Sequence, residues 1–227
     1  MHLQDHFDVA HLLGHPAFGH LAEAMNAYDR AKRGDLFDPA SYAWSECLSI
    51  GGHLQMLRKA ELTQCVQAII LFQAMMEKVP YFISEFGAGL KLPSRKEFAQ
   101  TWEDVLMQVK DPASQVAAKA EFDNYNNNFY KAFRNPIIHG RNADDVTKIN
   151  QIRLTGVYEG MSHGWRAYDY LLTEAFAPQQ IHEPSWANMC AAHGISNTLD
   201  LHDYPDLLNL AAQFSKKHLD GARAATG

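Results

Sequence analysis

Apolar residues along this chain recur at helical intervals, and no stretch alternates over the length of a strand. Glu61 to Val79 carries Leu62, Val66, Ile69, Ile70, Phe72 and Met76 on a broad apolar face, the width expected of a core helix. Its Met75-Met76 pair reads as gap filling in that core. Ala17 to Arg33 places Leu21, Met25 and Tyr28 together and stops at Gly34, and Ala40 to Arg58 reads as a second helix. Pro80 kinks or ends the helix it follows. Ser94 and Glu97 then form a capping box that starts a helix through Phe98, Trp102, Val105, Leu106 and Val109.

Ala113 to Arg134 is the most informative segment. At about 100° per residue, Phe122, Tyr125, Phe129 and Phe133 fall in one narrow stripe that should face the core. About a quarter-turn away run Asp123, Asn127, Tyr130 and Arg134, a polar strip that is either the wall of a cleft or a solvated face. Pro136 biases Asn135 out of the helical region, which predicts that the helix stops at Arg134 or Asn135. Asn142 is a candidate N-cap with Asp144 and Asp145 in the first turn, opening a helix through Val146, Ile149, Ile152, Val157, Met161, Trp165, Tyr168 and Leu172. Gly156, Gly160 and Gly164 recur every fourth residue on another face of it. Each costs roughly 1 kcal/mol against alanine, so either the helix breaks near Gly160 or the bare stripe admits a neighbouring backbone. A short strand at Ile152 to Tyr158 competes with that reading.

Pro184 to Cys190 and Pro205 to Lys217 are short helical candidates, and Gly221 to Gly227 is a small-residue tail. The pattern predicts an all-α helical bundle. It is one helical domain over residues 1–227, with a core at about 40–177, an N-terminal helical extension over 1–39 and a C-terminal one over 178–227.

Composition narrows the function. A formal charge of −6 argues against unspecific coating of nucleic acid, which needs many cations on phosphate. Any nucleic-acid site must be local, and between Lys131 and Arg153 the cations Lys131, Arg134, Arg141, Lys148 and Arg153 face only Asp144 and Asp145. Cys47, Cys65 and Cys190 are too scattered for a disulfide framework or a thiolate zinc site, which fits a reducing compartment. The first residues carry no signal-peptide pattern and no run is apolar enough to span a membrane, so the expectation is a cytoplasmic protein without a membrane partner. His2, His6, His11, His15 and His20 crowd the N-terminus, but Gly14 and Pro16 interrupt them and no carboxylate completes a ligand set.

The chemistry gathers in Phe133-Arg134-Asn135-Pro136-Ile137-Ile138-His139-Gly140-Arg141. An imidazole titrating near neutrality can serve as acid or base, and a guanidinium offers a permanent fork suited to phosphate. Cutting RNA without a metal needs both: a proton carrier for the 2′-hydroxyl and leaving oxygen, and a cation for the charge that builds on the phosphorane.

The Arg-Asn, short apolar spacer and His-Gly of residues Arg134 to Gly140 resemble the signature of the HEPN families, helical domains whose active members are metal-independent ribonucleases. The resemblance implies an endoribonuclease of toxin or defence type. It needs no cofactor and no metal, and works as a homodimer in which two copies of the motif share one cleft. It assigns catalysis to Arg134, His139 and Asn135, with Asn135 orienting the histidine or the phosphate. Arg141, Tyr130, Asn127 and Lys131 are the candidate substrate-binding residues, RNA is the expected partner, and an unidentified antitoxin or regulator would restrain the activity. Toxins of this type that are silenced by nucleotide modification often carry a tyrosine two residues after the histidine, where this chain has Arg141. Two other readings stay open: a non-catalytic helical binding or regulatory module, and a helical metal enzyme using His53, His139 or His163 with a carboxylate.

Overall fold

The computed structural model describes residues 3–33, 50–83, 97–140, 142–176 and 185–196. Its elements are α1 (Leu3–Arg33), α2 (Ile50–Ile83), α3 (Phe98–Leu106), α4 (Pro112–Tyr125), a π-helical segment (Asn126–Arg134), α5 (Asn135–His139), α6 (Ala143–Asn150), α7 (Leu154–Phe176) and α8 (Trp186–Ala192). No strand occurs among the described residues, so the all-helical expectation holds and the alternative strand at Ile152 to Tyr158 is overturned. α1 packs along α2, α2 along α7, and α7 along α4, with Phe18, Leu21, Ile69, Phe72, Trp102, Phe122, Tyr125, Phe129 and Trp165 fully enclosed between them.

Several boundaries differ from the sequence reading. α1 does not begin at Ala17 but runs unbroken through Gly14 and Pro16. A proline in a helix interior costs about 3 kcal/mol, whereas burying Phe18 and Leu21 stabilises by about 1.5–3 kcal/mol each, so packing wins over the local rule. At Gly14 α1 lies close to its neighbours: a Cβ there would lie 3.2 Å from Met75 Sδ and 3.5 Å from the Trp165 ring. α2 likewise joins two expected helices into one and continues through Pro80 to Ile83; residues 40–49 of the earlier of the two lie outside the described residues. Ser94 is also outside them, and Glu97 is the N-cap of α3 itself, without a side-chain cap bond. Asn142 caps α6 as expected, accepting from the Asp145 amide at 2.9 Å.

The break between α6 and α7 falls at residues 151–153, not at Gly160. A pair on α2, the part-buried Arg58 and the buried Glu61, holds both ends of it. Arg58 meets Glu61 at 2.7 Å and donates to the carbonyls of Asn150 and Ile152, while Glu61 accepts from the first amide of α7, Leu154, at 3.0 Å. The open carbonyls at one helix end and the open amide at the next are thereby satisfied.

α7 then carries its three glycines intact, and what they admit is side chains. A Cβ on Gly156 would meet Phe133 at 3.0 Å, one on Gly160 would meet Phe129 Cβ at 2.6 Å, and one on Gly164 would meet Tyr125 at 2.8 Å. Each step of four along α7 is answered by a step of four backwards along the opposing helix, an antiparallel ladder of rings seated on bare backbone. Residues four apart drift by about 40° per step on an α-helix. The wider i→i+5 winding of Asn126–Arg134 turns less per residue and opposes that drift, so the rings stay in line with the glycines.

At the α1–α8 contact, His15 Nδ1 lies 3.0 Å from His193 Nε2, and Phe18 stacks on the His193 ring at 6.0 Å. Desolvation, then the neighbouring His15, lower the pKa of His193. A histidine whose folded value is depressed contributes stability that is complete above its unfolded value of about 6.5 and is lost as pH falls through the folded value. Thermal melts should therefore show stability declining below pH 6.5, and His193→Asn should flatten that decline. An unchanged slope in the variant would refute the assignment.

Candidate functional site

Sequence rules place the end of the motif helix at Arg134 or Asn135, but the structure carries it on to His139. The π winding explains the difference. The Asn135 amide reaches back to the carbonyl of Tyr130, five residues earlier, so the chain enters Pro136 on a turn wider than an α turn, which gives the pyrrolidine ring room. Arg134 and His139 consequently sit on one continuous helix, one turn apart.

Their side chains meet. Arg134 Nη1 lies 3.0 Å from His139 Nε2 and donates to Asn135 Oδ1 at 3.3 Å. Arginine can only donate, so Nε2 of the imidazole is the acceptor and the ring proton of the neutral form sits on Nδ1. His139 is exposed, while Arg134 is 18% exposed and lies over the Tyr130 ring, 5.2 Å from its centroid. Gly140 closes the helix in contact with it: a Cβ at that position would fall onto the carbonyl oxygen of Pro136.

A chain of polar groups then runs from the bundle interior to the imidazole. The fully buried Tyr125 hydroxyl donates to Gln73 Oε1, Gln73 Nε2 donates to Glu77 Oε1 at 3.1 Å, and Arg134 Nη2 donates to the same oxygen at 3.2 Å. Burial, and next the Glu77 carboxylate, push the Tyr125 hydroxyl well above its ordinary pKa, so it remains a donor at every physiological pH. The network holds one nitrogen of the guanidinium towards α2 and leaves the other facing the histidine.

Glu77 also lines an open cleft of about 410 Å³ with Lys78, Pro80, Tyr81, Phe98 and Thr101. Phe98 stacks on Tyr130 with centroids 4.6 Å apart, so cleft and motif share a wall.

Of the candidate residues, Arg134, Asn135, His139 and Tyr130 come together. Asn127 does not join them; it accepts from Lys131 at 2.9 Å, and both are exposed. Asp123 pairs with Lys119 at 2.7 Å on the outer face. The strip thus does not line the cleft itself; its Tyr130–Arg134 end adjoins it through Phe98 and Glu77. Arg141 lies outside the described residues, as do the side chains of His6, His11 and His53. His163 bonds Glu121 at 2.5 Å on the α4–α7 contact, and no cluster of three or more potential metal ligands occurs among the described residues. Gln73, Glu77 and Phe98 are site residues that the sequence reading missed. The available signal was Gln73 and Glu77, two polar residues four apart inside the apolar segment of α2. No described helix is long and apolar enough to cross a membrane. Compared with protein-family models, with curated proteins and with solved structures, the chain matches none.

Proposed function

We propose that this chain is a metal-independent endoribonuclease of HEPN type, with His139 moving the proton and Arg134 stabilising the phosphorane. The observation that carries the reading is the Arg134–His139 contact at 3.0 Å, with the imidazole open to solvent and the guanidinium braced by Glu77 and Tyr130. At rest the histidine lone pair is occupied by Arg134. A phosphate entering the guanidinium fork draws the N–H away, and Nε2 is then free to accept the 2′-hydroxyl proton. Asn135 keeps the arginine on the histidine side. One imidazole cannot be base and acid in a single step, so the second proton carrier is the His139 of another copy. Ile138 and Val146, both about half exposed beside the motif, offer the apolar surface on which two copies would meet. In that dimer RNA is the partner and no metal takes part.

Burial of His139 would have favoured the non-catalytic alternative, and His139 is exposed. The test is incubation of purified protein with tRNA and mRNA in EDTA: cleavage should proceed, leave 2′,3′-cyclic phosphate or 3′-phosphate ends, and spare DNA, which lacks the internal nucleophile. Cleavage abolished by chelation would overturn the proposal.

Gly140→Ala probes the geometry without touching the reacting groups. The added Cβ displaces the end of α5 and with it His139, and a misplacement of about 1 Å in a catalytic group costs on the order of 10²-fold. Cleavage should fall by that order; because the contact is with backbone, the melting temperature should fall as well, so the rate is compared at a temperature where circular dichroism shows the variant folded. Full activity in the variant would show that the 139–140 corner does not position the imidazole.

A further inference from the structure

The cleft beside the motif takes no part in proton transfer or phosphate binding. We propose that it binds the base of a nucleotide flanking the cut phosphate and selects guanine; the position of that nucleotide rests on the nuclease reading of Arg134 and His139. Its volume, about 410 Å³, falls among small-molecule pockets. Tyr81 is a large aromatic held 43% exposed at the cleft, and Phe98 is half-buried in its wall. Single-stranded RNA is read by stacking splayed bases on such rings and bonding their edges. Phe98 stacks on Tyr130, and Tyr130 carries Arg134, so the base site and the phosphate cation are on neighbouring side chains, as a base and its own phosphate require.

The polar groups choose among bases. Both bonds to Glu77 fall on Oε1, from Gln73 and Arg134, which leaves Oε2 of a side chain 42% exposed as an acceptor. Lys78, the next residue, supplies a donor in the same cleft. Guanine alone sets two adjacent N–H donors, N1 and N2, beside a carbonyl, O6. Guanine therefore meets the pair with three groups, N1–H and N2–H on the carboxylate and O6 on the ammonium, where adenine and cytosine offer only two, one amino N–H and one ring nitrogen, and uracil flanks its one N–H with two carbonyls that a carboxylate repels.

Titration of the parent protein with 3′-GMP and 3′-AMP, followed by calorimetry, tests this apart from cleavage. 3′-GMP should bind at least about tenfold tighter. Tyr81→Ala should weaken it about tenfold through lost stacking, and Lys78→Ala should narrow the gap between the two nucleotides. Equal affinity for both nucleotides, or 3′-GMP binding untouched by Tyr81→Ala, overturns the cleft proposal, whether or not RNA is cut. GMP-selective binding that Tyr81→Ala weakens, in a protein that cuts no RNA, establishes the guanine site and overturns the nuclease reading instead.

Discussion

His139→Ala is expected to lower the rate of RNA cleavage by about 10²–10⁴-fold, the range that general acid–base catalysis supplies. The side chain is exposed and its one described polar partner is Arg134, so its loss removes no core contact. Circular dichroism and the melting temperature should be those of the parent, which separates a chemical defect from unfolding. Arg134→Lys is the more discriminating change. It keeps the charge but loses the planar fork that contacts Glu77, Asn135 and His139 at once. Strong impairment in a folded Arg134→Lys protein supports a bidentate phosphate contact. A His139→Ala protein that cuts as fast as the parent would end the mechanism.

The second large effect is structural. Gly160→Ala should destabilise the fold by about 3 kcal/mol or more, the upper range for overpacking, although alanine is the better helix former by about 1 kcal/mol. The added methyl would lie 2.6 Å from Phe129 Cβ and 2.7 Å from its Cγ, and a Cβ cannot move aside without moving the backbone. Gly156→Ala meets only the tip of the half-buried Phe133 ring, so its loss should be small. Gly19→Ala on α1 meets nothing within 4 Å and should stabilise by the propensity difference alone. Denaturant midpoints ranked Gly19→Ala, parent, Gly156→Ala, Gly160→Ala from most to least stable would support the ladder. Gly160→Ala at or above the parent would dismiss it.

What could be read from the sequence was whatever a single segment encodes. The stripe of Phe122, Tyr125, Phe129 and Phe133 was legible because helical spacing writes a buried face directly, and Asn142 because an N-cap bonds within its own turn. Arg134 and His139 were legible as chemistry, a guanidinium and an imidazole in one short motif, but not as a contact, since local rules ended the helix between them. Glu77 was not: it reaches Arg134 across 57 positions of chain, and no spacing rule links two helices. The glycines of α7 were half read, since their period was visible but the partners that fill it lie on another helix. The π winding defeated the local rules altogether. The bias against helix before proline assumes an α turn, and nothing in the residues 126–134 announces a wider one. Packing against α7 selects it, and that information is tertiary.

A ladder whose rungs repeat every four residues has a consequence for how firmly the motif is aligned. Sliding the aromatic helix by one rung, about 6 Å at 1.5 Å per residue, would seat Phe129 on Gly164 and Phe133 on Gly160 and lose only one pairing. The glycine seats taken by themselves therefore define the alignment to within a step, as a ratchet does. The teeth that select one notch lie outside the ladder: Phe122 stacks on Trp102 and Tyr130 on Phe98, while Tyr125 reaches Gln73 and Arg134 reaches Glu77. The hydrogen bonds that brace the cation thus share the work of a detent with these ring contacts, and together they fix where the Arg–His pair stands lengthwise relative to the cleft it borders.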